Sequence, residues 1–240
     1  MGIMIYRDRE AASTAAVTMI AAQMIEKPDC VLGLTASEMA NTVYRQLCGM
    51  TAAGILDWGE TTVFHTSEFI GRRTGQPGVQ GAYLNRMLYQ HVGIASCRIH
   101  APNHTAADLQ AACSAYEAEL VATHGMDLLV LCLGRNGHLA FNGPSREFSA
   151  FTHVELLPQS TLEECAGLAG ADGIPSQAVT MGVSTIMSAK RILLLAFGAE
   201  VSGIASRILS TAVTPAVPAS LLQLHPSVTF VLDENAAANL

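Results

Sequence analysis

Leu128-Leu-Val-Leu-Cys-Leu-Gly-Arg-Asn-Gly-His-Leu-Ala-Phe-Asn-Gly-Pro144 is the stretch from which the architecture can be read. Its opening run, Leu128–Cys132, is uniformly apolar and reads as a buried parallel strand. Immediately afterwards the residue types change. Glycines stand at 134, 137 and 143, with Asn136, His138 and Asn142 among them. Polar groups at the carboxyl end of a buried strand mark the place where open α/β sheets bind ligands.

Similar strand-like runs occur at Cys30–Leu34, Thr61–Thr66, Arg191–Phe197 and Val228–Leu232. Helical patterns lie between them, at Arg9–Glu26, Glu38–Cys48, Val79–His91, Ala106–Thr123, Val201–Leu209 and Ala219–Leu224. Strands alternating with helices imply a mostly parallel sheet covered by helices on both faces, a three-layer α/β architecture. Two glycine-rich stretches, Gly71–Gly81 and Gly167–Pro175, read as surface loops. Apolar periodicity resumes on both sides of each, so residues 1–240 are expected to form one domain.

Composition narrows the function. Half the residues are apolar, 14% are charged, and the net charge is −7. Nucleic acid and anionic membrane both require clustered Lys and Arg, so neither is an expected partner. No apolar run approaches the roughly 18 residues of a membrane span. The segment Ala11–Ile25 follows Arg9-Glu10 and is interrupted by Ser, Thr and Gln, so it reads as a helix and not as a secretory leader. The low charge predicts a thick core, or a surface covered by further copies in a homo-oligomer. Six scattered cysteines, without a Cys-x-x-Cys pair, predict buried thiols in a reducing cytoplasm and no metal site. No nucleotide fingerprint is present, and no cofactor is expected.

The stretch from Gly134 to Pro144 resembles the Gly-x-Asp-Gly-His-x-Ala-Phe-Asn-Glu-Pro segment of the glucosamine/galactosamine-6-phosphate deaminase-isomerase family. The likeness extends along the chain. Lys27–Leu34 is similar to that family's first strand, and Phe64-His-Thr-Ser-Glu-Phe-Ile-Gly71 to its Phe-x-x-Asp-Glu-Tyr/Trp-x-Gly segment. Ala178–Val183 resembles Ala-Val-Thr-x-Gly-Val, and Pro218–Pro226 the helix before the last strand. The resemblance implies a Rossmann-like sheet and a site for an amino-sugar 6-phosphate. There a carboxylate shuttles a proton between C1 and C2, a His assists ring opening, and ammonia leaves. The Asn at 136 leans toward the galactosamine wording.

Carried over position by position, this chemistry meets substitutions. The shuttling Asp falls on Ser67, beside a retained Glu68. The Asp next to the His falls on Asn136, the His is His138, and the Glu after Phe-Asn falls on Gly143. A hydroxyl in place of a carboxylate base predicts a loss on the order of 10²–10⁴ in rate. The expected catalytic set is His138, Glu68, Asn136 and Ser67. His138 reads equally well as a turn imidazole capping backbone groups. His65, two residues before Ser67 and expected on the same strand face, is a candidate substitute base.

The expected ligand loops are Thr35, Ala36, Ser37 and Glu38, together with Gly134 and Gly137. The family's Thr-Gly-Gly/Ala-Thr-Pro phosphate loop is here Thr35-Ala-Ser-Glu-Met39. Glu38 stands where an anion would bind, and Thr35-x-x-Glu38 matches a capping box. The family's Lys falls on Val201, and no Lys or Arg occurs from Glu147 through Ala189. Arg72 and Arg73 read as solvated loop residues, and they are also the one basic pair near a site loop that could rescue anion binding. Three functions stand as expectations. One is an isomerase or deaminase on a sugar or sugar phosphate, with weak family activity. The second is an enzyme on a non-phosphorylated or positively charged sugar. The third is a non-catalytic sugar-binding, regulatory or assembly paralogue.

Overall fold

The computed structural model describes residues 1–71, 77–169 and 173–240. Seven strands form the main sheet: β1 (Gly2–Tyr6), β2 (Val31–Leu34), β3 (Thr62–His65), β5 (Ile99–His100), β6 (Leu128–Cys132), β9 (Ile192–Ala196) and β10 (Val228–Asp233). Their spatial order is β1-β10-β9-β6-β2-β3-β5, and every pairing is parallel. A smaller antiparallel sheet, in the order β4-β8-β7, is built from β4 (Ser67–Phe69), β8 (Gln177–Thr180) and β7 (His153–Leu156).

The central strands are buried on both faces, which is why they read as continuous apolar runs. Their side chains alternate between two cores. Leu128, Val130 and Cys132 of β6 point to the same side as Leu193 and Leu195 of β9. Leu129, Leu131, Ile192 and Leu194 point to the other. On the first face α1 (Arg9–Glu26) contributes Val17 and Ile20, and α2 (Asn41–Ala52) contributes Val43 and Leu47. The second face is covered by Tyr116 and Leu120 of α5 (Leu109–Ala122) and by Ile204 and Ile208 of α9 (Ser202–Ser210). Each fully buried Leu or Ile stabilises by about 1.5–3 kcal/mol relative to exposure.

Several expectations change here. The strand-like run Thr61–Thr66 does not continue into Ser67–Phe69. The amide of Thr66 donates to Leu34 in the main sheet at 3.1 Å, and its carbonyl accepts from Met181 beside the small sheet at 2.9 Å. The chain crosses between sheets at this residue. Residues 38–48 also do not form one helix: a 3-10 turn, Glu38–Ala40, precedes α2. The helical pattern at 79–91 is real but interrupted, with α3 (Val79–Leu84), a π turn over Asn85–Tyr89 and α4 (Gln90–Val92). Most of Gly71–Gly81 lies outside the described residues or in α3. Two short helices, α6 (Gln159–Glu164) and α7 (Ala166–Ala169), come after β7, and α8 (Val183–Met187) comes after β8. The expected loop Gly167–Pro175 therefore begins inside α7. No described helix is long and apolar enough to cross a membrane.

Asp127, just before β6, ties three segments together. Its carboxylate accepts from Lys27 and Lys190, both at 2.7 Å, and from the Val31 amide at 2.9 Å. Burial alone would raise its pKa, but the two ammonium groups and the amide outweigh burial and hold it below the ordinary Asp value. A depressed folded pKa contributes stability above the unfolded value near 3.9, and that contribution is lost as pH falls through the folded value. Acid unfolding of an Asp127→Asn variant should therefore respond less to pH below about 4 than the parent does. Equal pH slopes in urea titrations would refute this.

Candidate functional site

The carboxyl ends of β2, β3 and β6 open into a cavity of about 470 Å³, counting its mouth. Its wall includes Thr35, Ala36, Ser37 and Glu38 from the loop after β2, Ser67, Gln80, and His138 with Phe141 from the loop after β6. Six of the ten expected site residues thus line one cavity. The remaining four, Glu68, Asn136, Gly134 and Gly137, support it from behind.

His138 is buried, and burial pushes its pKa down to about 4, so the ring is neutral at pH 7. Nδ1 lies 2.8 Å from Asn136 Oδ1, which also accepts the His138 amide at 3.0 Å. The shared acceptor requires Nδ1 to carry the proton, which leaves Nε2 with the lone pair. Gly134 makes room for the ring, since a Cβ there would stand 2.1 Å from it. Gly137 turns the chain with φ +83. Asn136 is therefore an orienting group rather than a proton-transfer group, as its lack of charge dictates. Asn136→Asp would place a carboxylate against the imidazole and should raise the His138 titration midpoint by about 1–3 pH units. Imidazole NMR reads this directly, and an unmoved midpoint would refute the assigned contact.

Glu68 does not face the cavity. One carboxylate oxygen accepts the amides of Phe69 and Gln80, and the other accepts that of Gly81. It caps the first turn of α3, and Gly78 is obligatory beside it because a Cβ would fall 2.1 Å from the carboxyl carbon. Burial raises its pKa against the pull of those amides.

The His65–Ser67 pair does not form. Ser67 Oγ donates to Gln80 Oε1 at 3.0 Å. His65 Nε2 meets Tyr89 Oη at 2.9 Å, and its Nδ1 has no partner among the described residues. The crossing at Thr66 separates the two onto different sheets, so the period-2 argument fails there. Burial drives His65 to about 4.

The capping box is not realised either. Ser37 is the cap, accepting from Met39 at 3.2 Å, while Thr35 Oγ1 donates to the Val130 carbonyl at 3.0 Å. Glu38 plays no part in capping and reaches across to Gly167, whose Cβ, if present, would lie 2.1 Å from Glu38 Oε1.

Four further lining residues, Glu164, Cys165, Cys132 and Gln80, gave no signal in the sequence. Both thiols are pushed up to about 12, chiefly by burial, which removes them as nucleophiles at neutral pH. Burial also raises the Glu164 carboxyl, against the Arg135 amide that donates to it at 3.4 Å and the Arg135 charge. A second cavity of about 520 Å³ adjoins the first across Ser37, Glu38 and Glu164, and adds Arg9, Arg135 and Glu200. Arg135 stood inside the Gly134–Pro144 motif, and its charge was the signal available. Arg72 and Arg73 lie outside the described residues. No grouping of His, Cys, Asp and Glu among the described residues could hold a metal ion.

The model of the glucosamine-6-phosphate isomerases/6-phosphogluconolactonase family matches residues 8–231. The chain belongs to this family. A glucosamine-6-phosphate deaminase of Halothermothrix orenii (strain H 168) is 34% identical over the full length of both chains. One from Geobacillus sp. (strain WCH70) is 38% identical over 95% of this chain and 91% of its own. The solved structure of a monomeric glucosamine-6-phosphate deaminase superposes with a TM-score of 0.94 at 34% identity, covering both chains completely. A 6-phosphogluconolactonase from Trypanosoma brucei shares the fold at 18% identity and a TM-score of 0.78, covering 100% of this chain and 98% of its own. The three-layer, mostly parallel family fold is thus the observed one. Within it, Ser67 lines the cavity at the strand ends, Asn136 stands behind His138, and Gly143 lines a separate cavity with Asn142 and Ser145. A Cβ at Gly143 would meet open space, so no packing demand explains the glycine.

Proposed function

We propose that this chain recognises 2-amino-2-deoxy sugars in the inherited cleft and deaminates hexosamine 6-phosphates slowly or not at all. The observation that carries the reading is the Ser67 contact: its hydroxyl donates to Gln80 Oε1 at 3.0 Å and is hydrogen-bonded to no carboxylate or imidazole among the described residues. His138 keeps its Nδ1–H on the neutral Asn136, so no carboxylate in that contact stabilises the ring when it takes up a proton. The retained family features, His138 and the Phe141-Asn142 strap, support an amino-sugar ligand. Asn142 Nδ2 donates to the carbonyls of Leu139 and Met181 and keeps the His138 loop in place.

Ammonia release should be measured from glucosamine 6-phosphate and from its galactosamine epimer, beside the Halothermothrix orenii relative. The expected kcat/KM is lower than that of the relative by at least about 10²-fold for both epimers. A rate within a few-fold of the relative would overturn the proposal. A strong preference between epimers would decide the galactosamine wording at Asn136.

A second reading, assembly with further copies, is favoured by β1. This strand forms a sheet edge, with Ile3, Met4 and Ile5 each at least 41% exposed. Sedimentation of the chain alone tests it, and a monomer at tens of micromolar would remove it.

A further inference from the structure

The outer cavity holds charges of both signs that the amino-sugar reading has not used. Arg9 and Arg135 line it beside Glu38, Glu164 and Glu200. Neither guanidinium forms a salt bridge with a described residue, although carboxylates share the same cavity. The inner cavity shares two of those carboxylates, Glu38 and Glu164, on the common wall. We propose that the two cavities form one site for a zwitterionic amino-sugar acid, its ammonium taken by Glu38 and Glu164 and its carboxylate by Arg9 and Arg135.

The proposal rests on the amino-sugar reading and deepens it by naming the ligand class. The two cavities meet along a shared wall of Ser37, Glu38 and Glu164, so one ligand can reach the charges of both. Charge then selects the ligand. Two positive and three negative side chains leave the outer lining net negative when all are ionised. A phosphorylated amino sugar adds a dianion to that field. An amino-sugar acid brings one ammonium and one carboxylate and adds no net charge. A carboxylate also fits the planar fork of a guanidinium. Val201 reinforces the choice. It lines the same cavity where the family places a cation, and so removes the charge a dianion would need. The loop sequence agrees, because Ala36 and Ser37 stand where the family motif has the small residues that admit phosphate oxygens.

Isothermal titration of the full chain tests this with four probes: 2-amino-2-deoxygluconate, glucosamine, gluconate and glucosamine 6-phosphate. The amino acid sugar should bind at least about tenfold more tightly than the amine-only or acid-only probe, because each charge finds its own partner. The double variant Arg9→Gln/Arg135→Gln should lose about tenfold or more for 2-amino-2-deoxygluconate, yet hold glucosamine within about twofold. Both arginines are exposed, so its melting midpoint should match the parent and show that folding is intact. Gluconate binding as tightly as the zwitterion, tighter binding of glucosamine 6-phosphate, or indifference to the double substitution would each overturn the proposal. If glucosamine binds but a carboxylate adds nothing, this inference alone fails. If none of the amine-bearing probes binds, the amino-sugar reading fails with it.

Discussion

Gly182→Ala should lower the melting midpoint by about 6–12 °C. A Cβ at this position would stand 2.3 Å from the Phe151 carbonyl oxygen and 2.5 Å from the carbonyl carbon and oxygen of Ala150. These are backbone atoms, and they cannot step aside cheaply. The amides of Val183 and Ser184, at the start of α8, donate to Ser149 and Ala150, each at 2.8 Å. Glu117 then clamps both sides, accepting from the Thr152 amide at 2.7 Å and from Thr185 Oγ1 at 2.6 Å. Relieving the overlap means breaking some of these bonds, which places the cost at the upper end of overpacking, about 3 kcal/mol. For a chain of this length about 1 kcal/mol corresponds to about 2–4 °C. Gly203→Ala is the matched control. A Cβ there meets nothing within 4 Å inside α9, so it should be neutral or stabilise by up to about 1 kcal/mol. A Gly182→Ala midpoint within about 2 °C of the parent would show that residues 149–151 yield far more easily than their hydrogen bonds imply. The damage should also reach the cleft. Thr180 Oγ1 accepts the Phe141 amide and the Met181 carbonyl accepts from Asn142, so this segment braces the loop that carries His138.

Legibility in the sequence depended on how far each signal reaches along the chain. The buried strands β2, β6, β9 and β10 were legible because a strand covered on both faces must be apolar throughout. The small sheet was not. His153–Leu156 alternates half-buried and exposed residues, and Ser67–Phe69 is only three residues long, so neither stands out by composition. The edge strand β1 was missed although it is apolar, because five residues next to a long helix give no turn signal. The site was legible wherever the side chain acts on its own loop, as with His138, Asn136 and Gly134. It failed where partners come from distant segments. Gln80 satisfies Ser67 across thirteen positions, and Glu164 approaches Glu38 from more than a hundred residues away. Period-2 logic paired His65 with Ser67, but one crossing residue, Thr66, cancelled it.

Replacing Glu38 by Gly and Val201 by Lys should convert the cleft into one that binds inorganic phosphate about 10²–10³ times more tightly than the parent. Charge alone sets this size. An anion about 4 Å from Glu38 is repelled by about 4 kcal/mol at an effective dielectric near 20. Glu38 is exposed, and solvent screening cuts this to about 1.5–2 kcal/mol, or about 10–30-fold in affinity. A lysine at 201 adds an attraction of similar size. Val201 itself is buried but lines the outer cavity, so the long stem has a route for its ammonium to reach that space. The two effects act through different residues on one ligand and should combine close to additively in free energy. Glycine at 38 also removes the side chain that reaches to Gly167, which clears the space as well as the charge. Titration with phosphate at low and high salt gives the readout, since an electrostatic gain must shrink as the Debye length falls from about 10 Å to about 3 Å between about 0.1 and 1 M. A folded double variant with no gain at low salt would mean that carboxylate replacement is not what separates this cleft from its phosphate-binding relatives. Ala36 and Ser37, in place of the motif's small phosphate-loop residues, would then be the deciding difference, because side chains that keep the amides from an anion are not offset by charge.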